Sequence, residues 1–228
     1  MISKLKMRSY LAALTVALLL PASSAAVHAA KTIGFPTSGQ FDQVRTISVP
    51  RLSFRDVQSI SFKGSSIRVD TADPSSYVPV TQIETPDAMY IYTPAAEEAE
   101  KIPITEKQPP LLERMNADTK SNLQGATKTG SGVFEGYNCD IYQTTANHGD
   151  EVVEIWVSKD PKFPFKLKTI ATDKSLNKVT TIILQNISLN VPLDDNLFEI
   201  PDNVKIVSAP TNGQGQGEAQ NGSGAKSQ

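Results

Sequence analysis

Apolar and polar residues alternate along most of the chain from residue 59 to residue 189. Ile60 and Phe62 alternate with Ser59, Ser61 and Lys63, the Gly64-Ser65-Ser66 stretch supplies a turn, and Ile67 and Val69 then alternate with Arg68 and Asp70. Side chains of a strand point to opposite faces in turn, so this period of two predicts a hairpin with one face buried. Past Asp73-Pro74, Tyr77 to Glu84 predicts a further strand; Pro86-Asp87 turns the chain into Ala88 to Thr93, and Glu97 to Ile104 returns beside it. The second half keeps the same rhythm. Ser131 to Glu135 and Tyr137 to Thr145 flank Gly136, and the Asn147-His148-Gly149-Asp150 turn leads into Glu151 to Ser158. Val153, Ile155 and Val157 share one face there, with Trp156 on the other. Phe165 to Thr172 and Lys178 to Leu189 complete the series. Strands joined in sequence by short turns are normally antiparallel neighbours.

One segment breaks the rhythm. After Pro109-Pro110, the stretch from Leu111 to Gln124 places Leu112, Met115, Thr119 and Leu123 on one face at helical spacing and then meets Gly125. Proline at the start and glycine past the end are helix punctuation. Its many Asn, Thr and Ser residues make the helix intrinsically weak, so it is expected to dock loosely, as a movable cover or as a surface helix closing a sheet edge.

The chain ends frame this region. Lys4, Lys6 and Arg8 precede an apolar run from Tyr10 to Leu20, Pro21 and a small-residue stretch with Val27 and Ala29. That order reads as a Sec-type secretory signal over residues 1–30, cut after Ala29 or Ala30, since the run is too short to span a bilayer. The expected product is periplasmic or secreted, with no integral membrane segment. Residues 209–228 hold no aromatic or large aliphatic side chain and read as a disordered tail. Gly34 to Arg55 reads as loop and strand, so 31–54 is set apart as an N-terminal extended segment and 55–208 as a single domain.

Composition narrows the function. Loss of the signal reduces Lys+Arg from 22 to 19 against 24 Asp+Glu, a net charge near −5. A mildly acidic chain with no basic run argues against nucleic acid and anionic membrane as main partners. Cys139 is the only cysteine, so it has no partner within the chain and reads as a buried small hydrophobe in a strand. Cys139 and His148 are too few for a His/Cys metal site, and no nucleophile elbow, phosphate loop or dinucleotide fingerprint appears. Asp194-Asp195-Asn196 reads as a solvated turn. No catalytic residue, cofactor or metal is expected, and the chain is expected to be a non-enzymatic monomer.

Several blocks together resemble the periplasmic outer-membrane lipoprotein carriers, the LolA-like superfamily. They are Ser61-Phe62-Lys63-Gly64-Ser65-Ser66-Ile67-Arg68-Val69-Asp70, then Ala88-Met89-Tyr90-Ile91-Tyr92-Thr93-Pro94 and Lys101-Ile102. Later come Gly136-Tyr137-Asn138-Cys139-Asp140-Ile141-Tyr142, Val153 to Asp160, Phe163-Pro164 and Phe198-Glu199-Ile200-Pro201. The resemblance implies a mainly β fold with minor α: an incomplete antiparallel β-barrel, a curved half-barrel sheet, covered by one or more short helices. It implies lipid acyl chains or a lipoprotein held in the half-barrel. Leu111, Leu112 and Met115 would be the lid contacts. Arg68 stands where the family has an arginine holding the lid from inside the barrel; read alone, it is an exposed strand residue. The family's initial amphipathic helix is missing here, and Val69 replaces its aromatic residue after the arginine. Relatives of this shape also serve as envelope sensors, which leaves a protein partner as the alternative.

Overall fold

A computed structural model describes residues 34–72, 78–95, 97–146 and 149–208. The signal segment, the tail, the Asp73-Pro74 turn and His148 lie outside them. Strands β1 (Ser38–Val49) and β2 (Leu52–Lys63) form a long hairpin paired from end to end. Its two-residue turn is closed by Arg51 at φ 78. The meander runs on through β3 (Ser66–Ala72), β4 (Pro79–Glu84), β5 (Ala88–Tyr92) and β6 (Glu98–Pro103). Helix α1 (Leu111–Asn122) follows. A second meander comprises β7 (Thr127–Phe134), β8 (Tyr137–Ala146), β9 (Glu151–Ser158), β10 (Lys166–Asp173) and β11 (Lys178–Leu189). A 3₁₀ turn at Asp195–Phe198 and β12 (Lys205–Ser208) complete the chain.

The two meanders join where β1 pairs with β11, giving one sheet in the order β12-β6-β5-β4-β3-β2-β1-β11-β10-β9-β8-β7. All neighbours are antiparallel except β12 on β6. The fold is the mainly β class expected: a large, open, curved sheet that does not close into a barrel, with one short helix among the described residues. Irregularities in register help to bend it. Between Gln40 and Asp42 the β1·β11 ladder shifts, and Asn186 on the bulged strand takes φ 55. Such bulges bend a strand and increase its twist. Near that shift the backbones come close: a Cβ on Gly39 would lie 2.8 Å from Ser188 O and 2.8 Å from Phe62 Cζ, so only glycine fits.

Register assigns the faces. Gly39 pairs with Phe62, Phe62 with Ile67, and Ile67 with Glu84, so these share one side, together with Phe41, Ile60 and Val69. Arg68, Ile83 and Tyr90 share the other. A separate cluster forms on that outer side from Ile83, Tyr92, Ala99 and Val204, with Ile200 against it. It is covered by the strap from Asn190 to Ser208. Lys63 donates to Leu193 O and Asp195, and Arg68 Nη1 donates to Leu197 O at 3.2 Å, holding the strap as it crosses to β6.

The observed elements differ from the expected ones in three places. The sheet starts before residue 55: β1, within the segment set apart as an extension, is a central strand, so the boundary expected at 55 falls inside β2. Strand β7 begins at Thr127 rather than Ser131; Thr127 to Gly130 carry no apolar side chain because this edge strand is largely exposed there. Strand β12 has no alternating pattern to reveal it, being four mostly exposed residues on an edge.

Candidate functional site

Helix α1 crosses one end of the sheet, carrying the chain from β6 to the opposite edge strand, β7. Its N-cap residue is Pro110, with no side-chain cap bond, and Gly125 beyond its end takes φ 76. Leu111 and Leu112 are almost wholly buried, in one cluster with Phe41, Ile60, Phe62, Ile67, Val69 and Leu184, and Met115 packs against it. Phe163, Phe165 and Leu167 extend this cluster from the β9–β10 loop and β10, with Phe163 and Phe165 in an edge-on contact at 4.6 Å.

Polar contacts fix the two ends of the helix. Arg114 reaches Glu84 on β4, and both side chains are mostly buried. The pair is imperfect. Nη1 donates to Oε2 at 3.4 Å, whereas Nη2 lies 3.1 Å from Oε1 without forming a hydrogen bond, and Nε has no partner among the described residues. Towards the C-terminus, Asp118 pairs with Lys166 on β10, and Thr119 Oγ1 accepts from the Lys166 backbone N–H at 3.3 Å while donating to Met115 O at 2.8 Å.

The structure brings Leu111, Leu112 and Met115 together at this seat. It does not bring Arg68 there. Arg68 points to the outer face, where Nε and Nη2 donate to the Asp70 carboxylate at 2.7 and 3.0 Å, and this bonding raises its pKa above the ordinary arginine value. The arginine that meets the helix side is Arg114, on the helix itself. No local pattern marks Arg114, because its partner is set by the β3·β4 register, which places Glu84 beside Ile67 on the helix-facing side.

Two shallow pockets lie elsewhere. One, of about 380 Å³, is lined by Ser131, Gly132, Val133, Asn138, Cys139 and Lys159; another, of about 470 Å³, includes Gln40, Tyr137 and Asn186. At the first, Asp140 pairs with Lys128 at 2.8 Å and Lys159 at 3.4 Å and accepts from Ser131 at 3.2 Å. The Lys128 bond holds the Asp140 carboxyl below the usual carboxylate range. A depressed carboxylate favours the folded state at neutral pH, and that contribution disappears as pH falls through the depressed value. Cys139 is fully buried, and burial pushes its thiol pKa up. A buried, protonated thiol is a poor nucleophile. Native protein should therefore react with a thiol reagent at neutral pH only as fast as it opens, and urea should release the full reaction; prompt stoichiometric labelling without denaturant would contradict that. Among the described residues, no three His, Cys, Asp or Glu side chains converge as a metal would require.

Among solved structures, the chain is similar to an uncharacterized conserved protein from Thermus thermophilus at 10% identity and TM-score 0.48, covering 75% of this chain and 90% of that one. It is similar to a LolA superfamily protein from Nitrosomonas europaea at 16% identity and TM-score 0.36, covering 74% and 93%. It is also similar to a chain of the Pseudomonas aeruginosa MucA/MucB complex at 9% identity and TM-score 0.45, covering 75% of this chain and 59% of that one. No curated protein matches the sequence. Residues 46–174, more than half of the chain, match the family described as a domain of unknown function, DUF4412, and the chain belongs to that family.

Proposed function

We propose that this protein is a non-enzymatic, carrier-type binding protein of the bacterial envelope, exported by its signal segment, which shelters an acyl chain of a lipid or lipoprotein beneath α1. The observation that carries this reading is the attachment of the helix. It covers an apolar floor of Phe41, Ile60, Phe62, Ile67 and Val69, yet one of its two polar ties, Arg114–Glu84, is a buried ion pair with unfilled hydrogen bonds. A buried pair repays its desolvation only when its geometry is good. The helix is also rich in Asn, Thr and Ser and has no side-chain cap. Both features lower the cost of lifting it and exposing the floor. An acyl chain needs such shelter in water, since each CH₂ is worth roughly 0.8 kcal/mol and a sixteen-carbon chain therefore on the order of 13 kcal/mol.

A second reading has its own support. The side chains beneath the helix already fill the seat: Phe163, Phe165 and Leu167 have no exposed surface, and Leu112 is 2% exposed. A seat filled in this way fits an envelope interaction module whose partner is a protein.

Leu112→Asp tests the first reading. The variant should retain the far-ultraviolet dichroism of the sheet and lose affinity for a fluorescent fatty acid, because a charge at this position cannot rest on the apolar floor. Unchanged affinity would mean that the helix is not a lid. Native mass spectrometry of detergent-free protein from an envelope fraction separates the two readings: a discrete lipid mass supports the carrier, whereas bare protein that takes up no fatty acid supports the interaction module.

A further inference from the structure

Six large apolar side chains are exposed among the described residues, and four of them stand at one end of the sheet. Leu52 (53% exposed) and Phe54 (51%) are at the tip of the β1–β2 hairpin, Val78 leads into β4, and Leu176 lies in the β10–β11 turn. Register places these turns together. Ser48 pairs with both Ser53 and Val179, so the β1–β2 tip and the β10–β11 turn are neighbours, and Ala72 pairs with Pro79 at the same end. The seat of α1 is at the other end, where Glu84 and Lys166 lie.

The β1–β2 tip is uncovered along its β2 edge, while β11 accompanies β1 as far as Ser48. Strand β3 accompanies β2 only as far as the Thr71–Gln58 pair, so Leu52 to Val57 continue past it with a free strand edge. Arg51 and Arg55 flank its apolar residues, and Lys174 stands in the adjoining turn; all three are exposed and in no ion pair among the described residues. The nearest acid, Asp173, spends its carboxylate on Ser175 and Leu176 of its own turn and faces Lys178. Asp150 and Glu151 border the patch on the β9 side: Glu151 pairs across the sheet with Asp173, and Asp150 O accepts from the Lys174 backbone N–H at 3.0 Å.

We propose that this end of the sheet docks on the surface of an anionic lipid bilayer. Leu52, Phe54 and Leu176 enter the headgroup region, and Arg51, Arg55 and Lys174 meet lipid phosphates. Interspersed apolar and cationic side chains complement such an interface, each cation near it adding to the attraction. A shallow position suits this end, because water in the headgroup region satisfies the unpaired β2 edge. The cations are dispersed in the sequence of an acidic chain and become a local group only through the register of β1, β2 and β11. This inference stands apart from the acyl-carrier reading and survives its failure.

Flotation of the chain from Lys31 onward with phosphatidylglycerol–phosphatidylethanolamine vesicles tests it, with phosphatidylcholine vesicles as the comparison. Binding should favour the anionic vesicles and weaken with salt. The exposed pair Leu52→Ser/Phe54→Ser should fold normally and bind on the order of tenfold more weakly, because the lost apolar area is half-exposed in the free protein. Arg51→Glu/Arg55→Glu should abolish the preference for anionic vesicles. Failure of the parent chain to float, or equal flotation of the apolar double variant, would overturn the proposal. So would a dimer in sedimentation that Phe54→Ser dissociates, which would assign the patch to a second copy of the chain.

Discussion

Glu84→Gln is expected to cost about 3 kcal/mol of folding stability, far more than the loss of a surface ion pair. The reason lies in what remains. Arg114 cannot shed its charge, its side chain is mostly buried, and Glu84 is its only anionic partner among the described residues. Two of its nitrogens already lack hydrogen bonds. Replacing both partners together, Glu84→Leu with Arg114→Met, removes the desolvated charges and should restore or exceed the parent stability. Urea denaturation of the single and double variants measures both effects. A single variant as stable as the parent would show that Arg114 escapes to solvent at no cost and does not fasten the helix. The same pair bears on function: with an apolar tie in place of the ionic one, α1 should lift less readily and fatty-acid uptake should slow.

Phe163→Ala is expected to cost about 4 kcal/mol, as truncation of a buried aromatic leaves a cavity that the fold fills only in part. Phe163 has no exposed surface and contacts Phe165 at 4.6 Å and Tyr137 at 5.7 Å between ring centres. For a domain of this size, a loss on that scale should lower Tm by roughly 10 °C. A thermal scan that moved by only a degree or two would show that the loop repacks and that the core does not depend on it. Phe163 lies between Asp160-Pro161 and Pro164, in what reads as an ordinary turn. Its backbone N–H bonds to Asp160 O at 3.0 Å, and Ser158 N–H bonds to Phe165 O at 3.1 Å. These bonds fold the loop inward and carry the ring under the helix end of the sheet.

Much of the fold was legible from local pattern. Alternation of Ile60, Phe62, Ile67 and Val69 marks a strand pair with one buried face, because side-chain direction in a strand has a period of two whatever the surroundings. The punctuation of α1 by Pro110 and Gly125 is similarly local, and so is the helical spacing that puts Leu112 and Thr119, both buried, on one face. What lies on the far side of each contact was not legible. The family resemblance implies Arg68 as a partner for the helix, whereas read alone it is an exposed strand residue, and one residue of register decides between the two faces. Its register with Ile83 sends it outward to the strap, and the neighbouring register of Glu84 with Ile67 supplies Arg114 instead. The central place of β1 was hidden for a related reason. Its helix-facing side is apolar at Phe41 but polar at Gln43 and Arg45, which bond to Gln58 and Asp56 across the hairpin, so clean alternation fails.

The sequence by itself determined the β class, the single weak helix with its buried face, the antiparallel order of neighbouring strands and the scarcity of metal-binding side chains. These follow from period, turn chemistry and composition, each of which acts within a few residues. Only the tertiary structure decided which residues meet across the sheet: the Arg114–Glu84 tie, the filled seat of Phe163 and Phe165, the outward Arg68, and the gathering of Leu52, Phe54 and Leu176 beside three cations. Those pairings depend on register and sheet curvature, which the whole set of strands fixes together and no single segment encodes.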